Sequence, residues 1–107
     1  MAISYTVGCS FADAAEDVPK RWLAWLRDEH IADVMQAGAV SAQIVAMDAD
    51  IPTFEVRYRF PDRATFDTYV SEHAPRLRDE GLRKFPLELG LSYSRTVGEL
   101  TDSFGPG

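Results

Sequence analysis

Two segments of this 107-residue chain alternate strictly between two kinds of side chain. In ISYTVGCSF (residues 3–11) the odd-numbered positions carry apolar side chains or cysteine, and the even-numbered positions carry small polar side chains or glycine. TFEVRYRF (residues 53–60) places aromatic and aliphatic side chains at its even positions and polar or charged ones between them. A period of two is typical of a strand with one buried face and one open face. The two segments are therefore predicted to be strands that cover a core with one side only.

The segments between these strands have the period of amphipathic helices. Residues 18–30 place apolar side chains at helical spacing, and the pattern continues to Gly38, a residue type that favours helix ends. A second helix is expected to begin at Pro61 or Asp62. Because a residue that precedes proline is disfavoured in the α region, we expect a kink or break at 73–75, with a further short helix after it.

Two more strands complete the predicted fold, at residues 39–47 and 87–97. The resulting order, β-α-β-β-α-β, is that of an α+β, ferredoxin-like domain with a four-stranded antiparallel sheet and both helices on one face. The first and third strands are expected to be central and parallel, because crossover connections are right-handed. The domain is expected to span residues 1–98, followed by a C-terminal tail, residues 99–107.

The amino-acid composition disfavours several classes of binding partner. The net charge of −6 disfavours nucleic acid, whose phosphates need a clustered positive field, and it equally disfavours an anionic membrane surface. Cys9 is the single cysteine, so no intramolecular disulfide is possible and a reducing compartment is expected. The N-terminal residues lack the features of a signal peptide, and no apolar run has the length of a membrane span. A cytoplasmic location is the expectation.

The sheet face that points away from the helices is predicted to be polar. It carries Glu55, Arg57 and Arg59 from the third strand among small serine and threonine side chains. Such a face can simply meet water. Alternatively, a second copy of the chain packs against it and encloses a polar space, where the arginines would favour an anionic or carboxylate ligand. These three residues, with Tyr5 of the first strand, are the candidate ligand-binding residues.

The WLAWLRDEHI helix and the YVSEHAPRLRDEGLRKF segment, in this order of elements, resemble a family of small uncharacterised bacterial proteins in the dimeric α/β-barrel superfamily. The resemblance spans about residues 3–97. Its most specific pieces are Trp25-Leu26 with His30, and Glu72-His73-Ala74-Pro75 with Arg76-Leu77-Arg78 and Gly81-Leu82. The resemblance implies a homodimer of ferredoxin-like protomers. The superfamily includes cofactor-free monooxygenases, lactone isomerases, haem-using enzymes and stress-response proteins, and no single reaction carries over to this chain.

The chain contains two histidines, His30 and His73, which are the candidate catalytic residues. One interpretation is structural, with each imidazole half-buried near a helix terminus. The other is a general acid or base at the mouth of a pocket, with His73 as the stronger candidate and Glu72 or Asp79 adjusting its pKa. No metal or cofactor is expected, because the sequence has no paired histidine or cysteine ligands and no glycine-rich nucleotide motif.

The sequence therefore predicts a small homodimeric α/β-barrel protein that binds a small molecule, with anions among the candidates, against the polar face of the sheet. One alternative is a cofactor-independent enzyme, monooxygenase-like or isomerase-like, that acts on a small organic acid. A second alternative is a structural or partner-binding homodimer. The residues alone do not decide whether the protein is catalytic, nor do they identify its ligand.

Overall fold

Four strands form one antiparallel sheet in the order β2-β3-β1-β4 in the computed structural model, which describes residues 1–106. The strands are β1 (Ile3–Ser10), β2 (Ser41–Ala46), β3 (Thr53–Phe60) and β4 (Ser92–Glu99). Two helical stretches, one between β1 and β2 and one between β3 and β4, complete the β-α-β-β-α-β order. The predicted α+β, ferredoxin-like fold is confirmed.

The central strands are β1 and β3, as predicted, but they run antiparallel, with Tyr5 opposite Tyr58. The prediction that they are parallel was wrong. The helical crossover makes β1 and β2 the parallel pair, and β3 lies between them. Because β3 follows β2 through a short connection, it must run opposite to both neighbours.

Each helical stretch contains one π-helical turn between two α-helical segments. The first stretch consists of α1 (Asp17–Trp25), a π turn (Leu26–His30) and α2 (Ile31–Gln36). The second consists of α3 (Arg63–Thr68), a π turn (Tyr69–His73) and α4 (Ala74–Lys84). The chain stays helical through 73–75, with Pro75 in the first turn of α4 directly after the π turn, so the expected break is absent. The helix changes register through the π turn instead.

The last strand begins later than the sequence pattern predicted. Leu87–Leu89 form a turn of 3₁₀ helix that ends at Gly90, whose φ is +100°. A Cβ at Gly90 would lie 2.5 Å from the backbone carbon of Asp13, so the residue must be glycine for conformation and for space. Strand β4 continues into the predicted tail, through Glu99, and the Leu100 N–H donates to the Ala2 carbonyl at 2.9 Å. The last residue of that tail lies outside the described residues.

The helices cover the sheet face that carries Ile3, Tyr5, Val56, Tyr58 and Phe60, all buried. This is the face that the alternation of the strands predicted. The second helical stretch is capped at Asp62, as expected, since its carboxylate accepts a 2.8 Å hydrogen bond from the Thr65 N–H. The other face of the sheet carries no helix, and we call it the open face.

Candidate functional site

A cavity of about 370 Å³ lies between the helix-covered face of the sheet and the helices. Its walls come from β1, β3, β4, both helical stretches and the segment that leads into β4. Most of the lining is aliphatic or aromatic, from Val7, Trp22, Trp25, Leu26, Val56, Leu77, Leu82, Leu87 and Leu91. This size and lining are those of an ordinary small-molecule site.

Three of the four tyrosines that line this cavity lie close to one another. Tyr5 of β1 lies 6.0 Å from Tyr58 of β3 and 6.1 Å from Tyr69, measured between ring centroids. Tyr58 and Tyr69 are 3% and 4% exposed, yet within residues 1–106 neither hydroxyl makes a hydrogen bond. Burial raises the pKa of Tyr69 to about 12 and that of Tyr58 further above its ordinary value. Both phenols therefore stay protonated and can donate to an acceptor in the cavity.

The π turn Leu26–His30 ends at an imidazole that lines the same cavity. The His30 ring stacks on the Trp25 indole, with centroids 4.4 Å apart and planes 24° from parallel. Burial lowers the pKa of His30 to about 4, and Asp33 opposes that shift only partly. His30 is therefore neutral at physiological pH, with one ring nitrogen able to accept a hydrogen bond.

Trp25 is itself held tightly in the wall of the cavity. Its ring packs against Phe85 at 5.6 Å as well as against His30, and a Cβ at Gly81 of α4 would lie only 3.1 Å from its Cη2. Within the part of the chain that the structure describes, the buried Trp25 Nε1–H has no hydrogen-bond partner. Gly81 thus lets α4 approach the indole that carries His30.

Two arginines, Arg78 of α4 and Arg95 of β4, also line the cavity. The Arg78 guanidinium lies 3.5 Å from the Tyr5 hydroxyl, which is the outer limit of a hydrogen bond. Arg95 lies 5.3 Å from the centroid of the Tyr93 ring, a cation–π distance. Among residues 1–106, neither guanidinium is within 4.0 Å of a carboxylate. Both positive charges are available to a ligand.

A buried polar cluster joins the cavity wall to the core. The Trp22 Nε1–H donates to the Tyr93 hydroxyl at 3.1 Å, and the Cys9 thiol lies against the same hydroxyl. Burial raises the pKa of Cys9 to about 12, so the thiolate does not form at neutral pH. Cys9 is the buried, unreactive thiol that its place on the apolar face of β1 predicts.

The cavity brings together two of the predicted site residues, His30 and Tyr5. His73, the stronger catalytic candidate from sequence, is half-buried at the end of the second π turn and does not line this cavity. The two histidines occupy equivalent places in the two helical stretches but face different surroundings. A catalytic role for His73 stays a prediction that this cavity does not support.

The other three predicted site residues lie on the open face, away from the cavity. Glu55 and Arg57 neutralise each other there, through a 2.8 Å ion pair between neighbouring positions on the same side of β3. Arg59 is exposed on the same face. Ligand binding by these residues stays a prediction about a surface that is separate from the cavity.

Sequence reasoning missed Arg78 and Arg95, although the sequence contains a signal for one of them. Arg95 continues the alternation that runs through Leu91 and Tyr93, so it is a charged residue at a position that faces the helices. Arg78 gave no such signal, because it lies in a run of mixed charges typical of a solvated helix surface. Only the packing of α4 beside β1 shows that its guanidinium reaches Tyr5.

Two further observations concern the part of the chain that the structure describes. No three histidine, cysteine or acidic side chains in residues 1–106 are grouped closely enough to hold a metal ion. None of the helices there combines the length and the apolar character needed to cross a bilayer.

Solved structures with this fold include proteins of several kinds. A dimeric ferredoxin-like protein from an uncultured marine organism has a TM-score of 0.72 at 12% identity, covering 97% of this chain and 99% of that protein. SnoaB, a cofactor-independent oxygenase from Streptomyces nogalater, has a TM-score of 0.68 at 8% identity, with 98% of each chain covered. The de novo designed protein Foldit4 has a TM-score of 0.61 at 14% identity, covering 94% and 99%. At these identities the likeness shows the fold alone.

Comparison by sequence gives the family. No curated protein is a significant match to this chain. Residues 4–96, which include every strand and both helical stretches apart from the outermost strand ends, match a domain family described as a domain of unknown function, DUF4286. The predicted resemblance to a family of small uncharacterised proteins is thereby confirmed, and the chain belongs to the DUF4286 family.

Proposed function

We propose that this protein binds a small molecule in the cavity between the sheet and the helices. The observation that carries the proposal is the lining, in which mostly apolar walls surround the phenols of Tyr58 and Tyr69, whose hydroxyls have no hydrogen-bond partner in residues 1–106. A ligand oxygen in the cavity could accept a hydrogen bond from either hydroxyl. The apolar and aromatic lining favours a planar apolar body.

The test is a binding screen on the full chain by ligand-observed NMR. The probes are naphthalene, quinoline and indole derivatives, each as a carboxylic acid and as its amide. Val7→Phe adds a ring to the cavity and should abolish the binding seen with wild type. Val97→Phe is the matched control, because Val97 lies on the same side of the sheet but outside the cavity, and it should bind as wild type does. If no probe binds to wild type, the proposal is wrong.

A second candidate function is a cofactor-independent proton transfer on the bound molecule. It is favoured by His30, whose neutral imidazole lies in the cavity wall. A carbonyl compound placed there could lose a proton from its α-carbon to an imidazole nitrogen, while a phenol hydrogen bonds to the enolate oxygen that forms. With a β,γ-unsaturated carbonyl compound the enolate is conjugated, and return of the proton to its γ-carbon would move the double bond and complete an isomerisation without any oxidant.

Deuterium exchange tests this candidate directly. The α-protons of 2-tetralone in D₂O should exchange faster with wild type than with His30→Gln, and His73→Gln should retain the wild-type rate. Loss of exchange in His73→Gln alone would move the role to the other histidine. A wild-type rate equal to that of buffer would exclude this reaction on this probe.

We also propose that two copies of the chain pair through their open faces. The dimeric ferredoxin-like relatives support this arrangement. So does the face itself, because β1 and β4 expose small side chains there while β3 exposes long ones such as Arg57 and Arg59. In a two-fold pair the long side chains of one copy can lie over the small ones of the other.

Light scattering after size exclusion tests the pairing. The expected mass is twice 11.9 kDa for the wild type and 11.9 kDa for Ser94→Arg, which places a bulky charge among the small side chains. Ser71→Arg, on an exposed helix position, should keep the wild-type mass. A wild-type mass of 11.9 kDa at micromolar concentration would exclude the dimer.

A further inference from the structure

The positive charges that line the cavity indicate which chemical class of ligand it would bind. We infer that the ligand is an organic anion, a carboxylate on a planar apolar body, held by Arg78 and Arg95. The inference rests on the proposed binding function of the cavity and adds the chemistry of the group that is recognised. It is supported by the placement of these two guanidiniums and by the phenols beside them.

Arg95 places a positive charge in the lining of the cavity. It lies opposite Val7 in the register of β1 and β4, between Tyr93 and Val97, on the side of the sheet that packs against the helices. Elsewhere on that side β1 and β3 carry apolar or aromatic side chains and Cys9. Arg95 is exposed, and within residues 1–106 its guanidinium contacts the Tyr93 ring and has no carboxylate within 4.0 Å. An anionic ligand would supply the missing partner.

Arg78 reaches the cavity from the opposite wall. It extends from α4 to the Tyr5 hydroxyl, so the two guanidiniums approach the cavity from a helix and from a strand. The chain carries 17 acidic residues against 11 basic ones, and other cations do find carboxylates, as Arg57 does in Glu55. The described residues leave Arg78 without one. Two guanidinium forks directed to one space match the geometry of a carboxylate.

Buried phenols add donors beside the two arginines. The Tyr69 hydroxyl has no hydrogen-bond partner in residues 1–106, and both guanidiniums act on its pKa by lowering it, against the larger effect of burial. The three groups are therefore within electrostatic range of one another. A carboxylate oxygen between them would accept from the phenol and from the guanidiniums, and each of these hydrogen bonds would be charge-assisted.

The charge of the whole chain makes anion selectivity a sharp test. At −6 the protein repels an anion at long range, so any preference for an anion over a neutral isostere must come from local groups. 2-Naphthoate and 2-naphthamide have nearly the same shape and differ in charge. Isothermal titration calorimetry of both probes with the wild-type chain measures that preference.

The expected result is that wild type binds 2-naphthoate at least ten times more tightly than 2-naphthamide. Arg78→Gln and Arg95→Gln should each remove most of that preference, because each should weaken binding of the naphthoate more than binding of the amide. Arg83→Gln, an exposed arginine on the same helix as Arg78 and outside this cavity, is the control and should keep the preference. Equal thermal midpoints for the three variants would show that the fold is retained.

Each of the other possible results would contradict the inference or the assignment to these two arginines. Equal affinity of wild type for the two probes, or tighter binding of the amide, would overturn the anion inference and leave the proposed binding function in place. A preference that survives in both Arg78→Gln and Arg95→Gln would overturn the assignment to these residues. Binding of neither probe would count against the inference and the binding function together.

Discussion

The arginines on the two sides of the sheet differ in whether they pair with a carboxylate. On the open face, Arg57 pairs with Glu55 at 2.8 Å, so its charge is neutralised within the chain. On the other side of the sheet, Arg95 of β4 contacts the Tyr93 ring and Arg78 of α4 contacts the Tyr5 hydroxyl, and neither has a carboxylate within 4.0 Å in residues 1–106. A guanidinium that already pairs with a carboxylate gains little from an anionic ligand, whereas an unpaired guanidinium beside the cavity can form a new ion pair with one. The helix-covered face, where sequence reasoning expected only a core, is therefore the better candidate for binding.

The largest difference between the faces should appear in stability. Phe60 is fully buried on the helix-covered face, and Phe60→Ala should lower the free energy of unfolding by about 3–5 kcal/mol because it leaves a void in the core. Ser4 is exposed on the open face, so Ser4→Ala should change that free energy by no more than about 0.5 kcal/mol. Urea unfolding measures both. A loss below about 1 kcal/mol for Phe60→Ala would mean that the core is not packed as described.

The next effect is a pH dependence that arises at the cavity. His30 has its pKa lowered to about 4 in the folded chain, against about 6.5 when unfolded. The unfolded state therefore binds the proton first, and the stability due to neutral His30 is full above pH 6.5 and is lost as pH falls towards 4. That loss should reach at most about 3 kcal/mol.

Urea unfolding of wild type and His30→Gln between pH 7.5 and pH 4.5 isolates this contribution. The difference in stability between the two proteins should shift in favour of His30→Gln as pH falls. His73→Gln is the control, because it makes the same substitution at the equivalent position of the second helical stretch. A difference between wild type and His30→Gln that does not vary with pH would show that the imidazole is not buried.

Sequence reasoning predicted the sheet well and the cavity poorly, for physical reasons. Alternation in a strand is a local property, so it assigned Phe60 and Arg59 to opposite faces correctly. Register is not local, and the direction of β3 relative to β1 followed from the connections rather than from any residue pattern. The 3₁₀ turn at Leu87–Leu89 has the same leucine spacing as a strand, which is why β4 was placed too early.

The cavity was missed because it depends on contacts between distant segments. His30 and Trp25 are neighbours on one helix, but their stacking depends on the π turn, which no residue type marks in the sequence. Arg78 meets Tyr5 across 73 positions of sequence. A cavity is the space left between packed elements, and the volume of that space cannot be read from the periodicity of each element by itself.

Alanine substitution at two glycines, Gly81 of α4 and Gly8 of β1, should have different effects on stability. Gly81→Ala would place a Cβ 3.1 Å from Cη2 of Trp25, a ring that Phe85 and His30 hold in place. The crowding should outweigh the gain in helix propensity and lower stability by about 1 kcal/mol. Gly8→Ala on the open face would approach the Ser94 hydroxyl at 2.5 Å, but Ser94 is exposed and its side chain can rotate away.

Thermal unfolding of the two alanine variants compares the responses. Gly81→Ala should lower the midpoint and also change tryptophan fluorescence, because Trp25 must move. Gly8→Ala should change neither quantity measurably. If Gly81→Ala raised the midpoint with unchanged fluorescence, the indole would not be confined between α4 and His30.

The smallest expected effect is the coupling between Glu55 and Arg57. Their side chains are 29% and 45% exposed, and an exposed ion pair contributes about 0.2–1 kcal/mol. A double-mutant cycle of Glu55→Gln and Arg57→Gln should therefore give a coupling below 1 kcal/mol at concentrations where the chain is monomeric. A second copy packed on the open face would remove water from the pair, so the coupling should rise when the cycle is repeated at concentrations where the dimer forms. A coupling that stays the same at both concentrations would mean that the pair lies outside the dimer contact, and the proposed pairing of open faces would then have to use β1 and β4 alone.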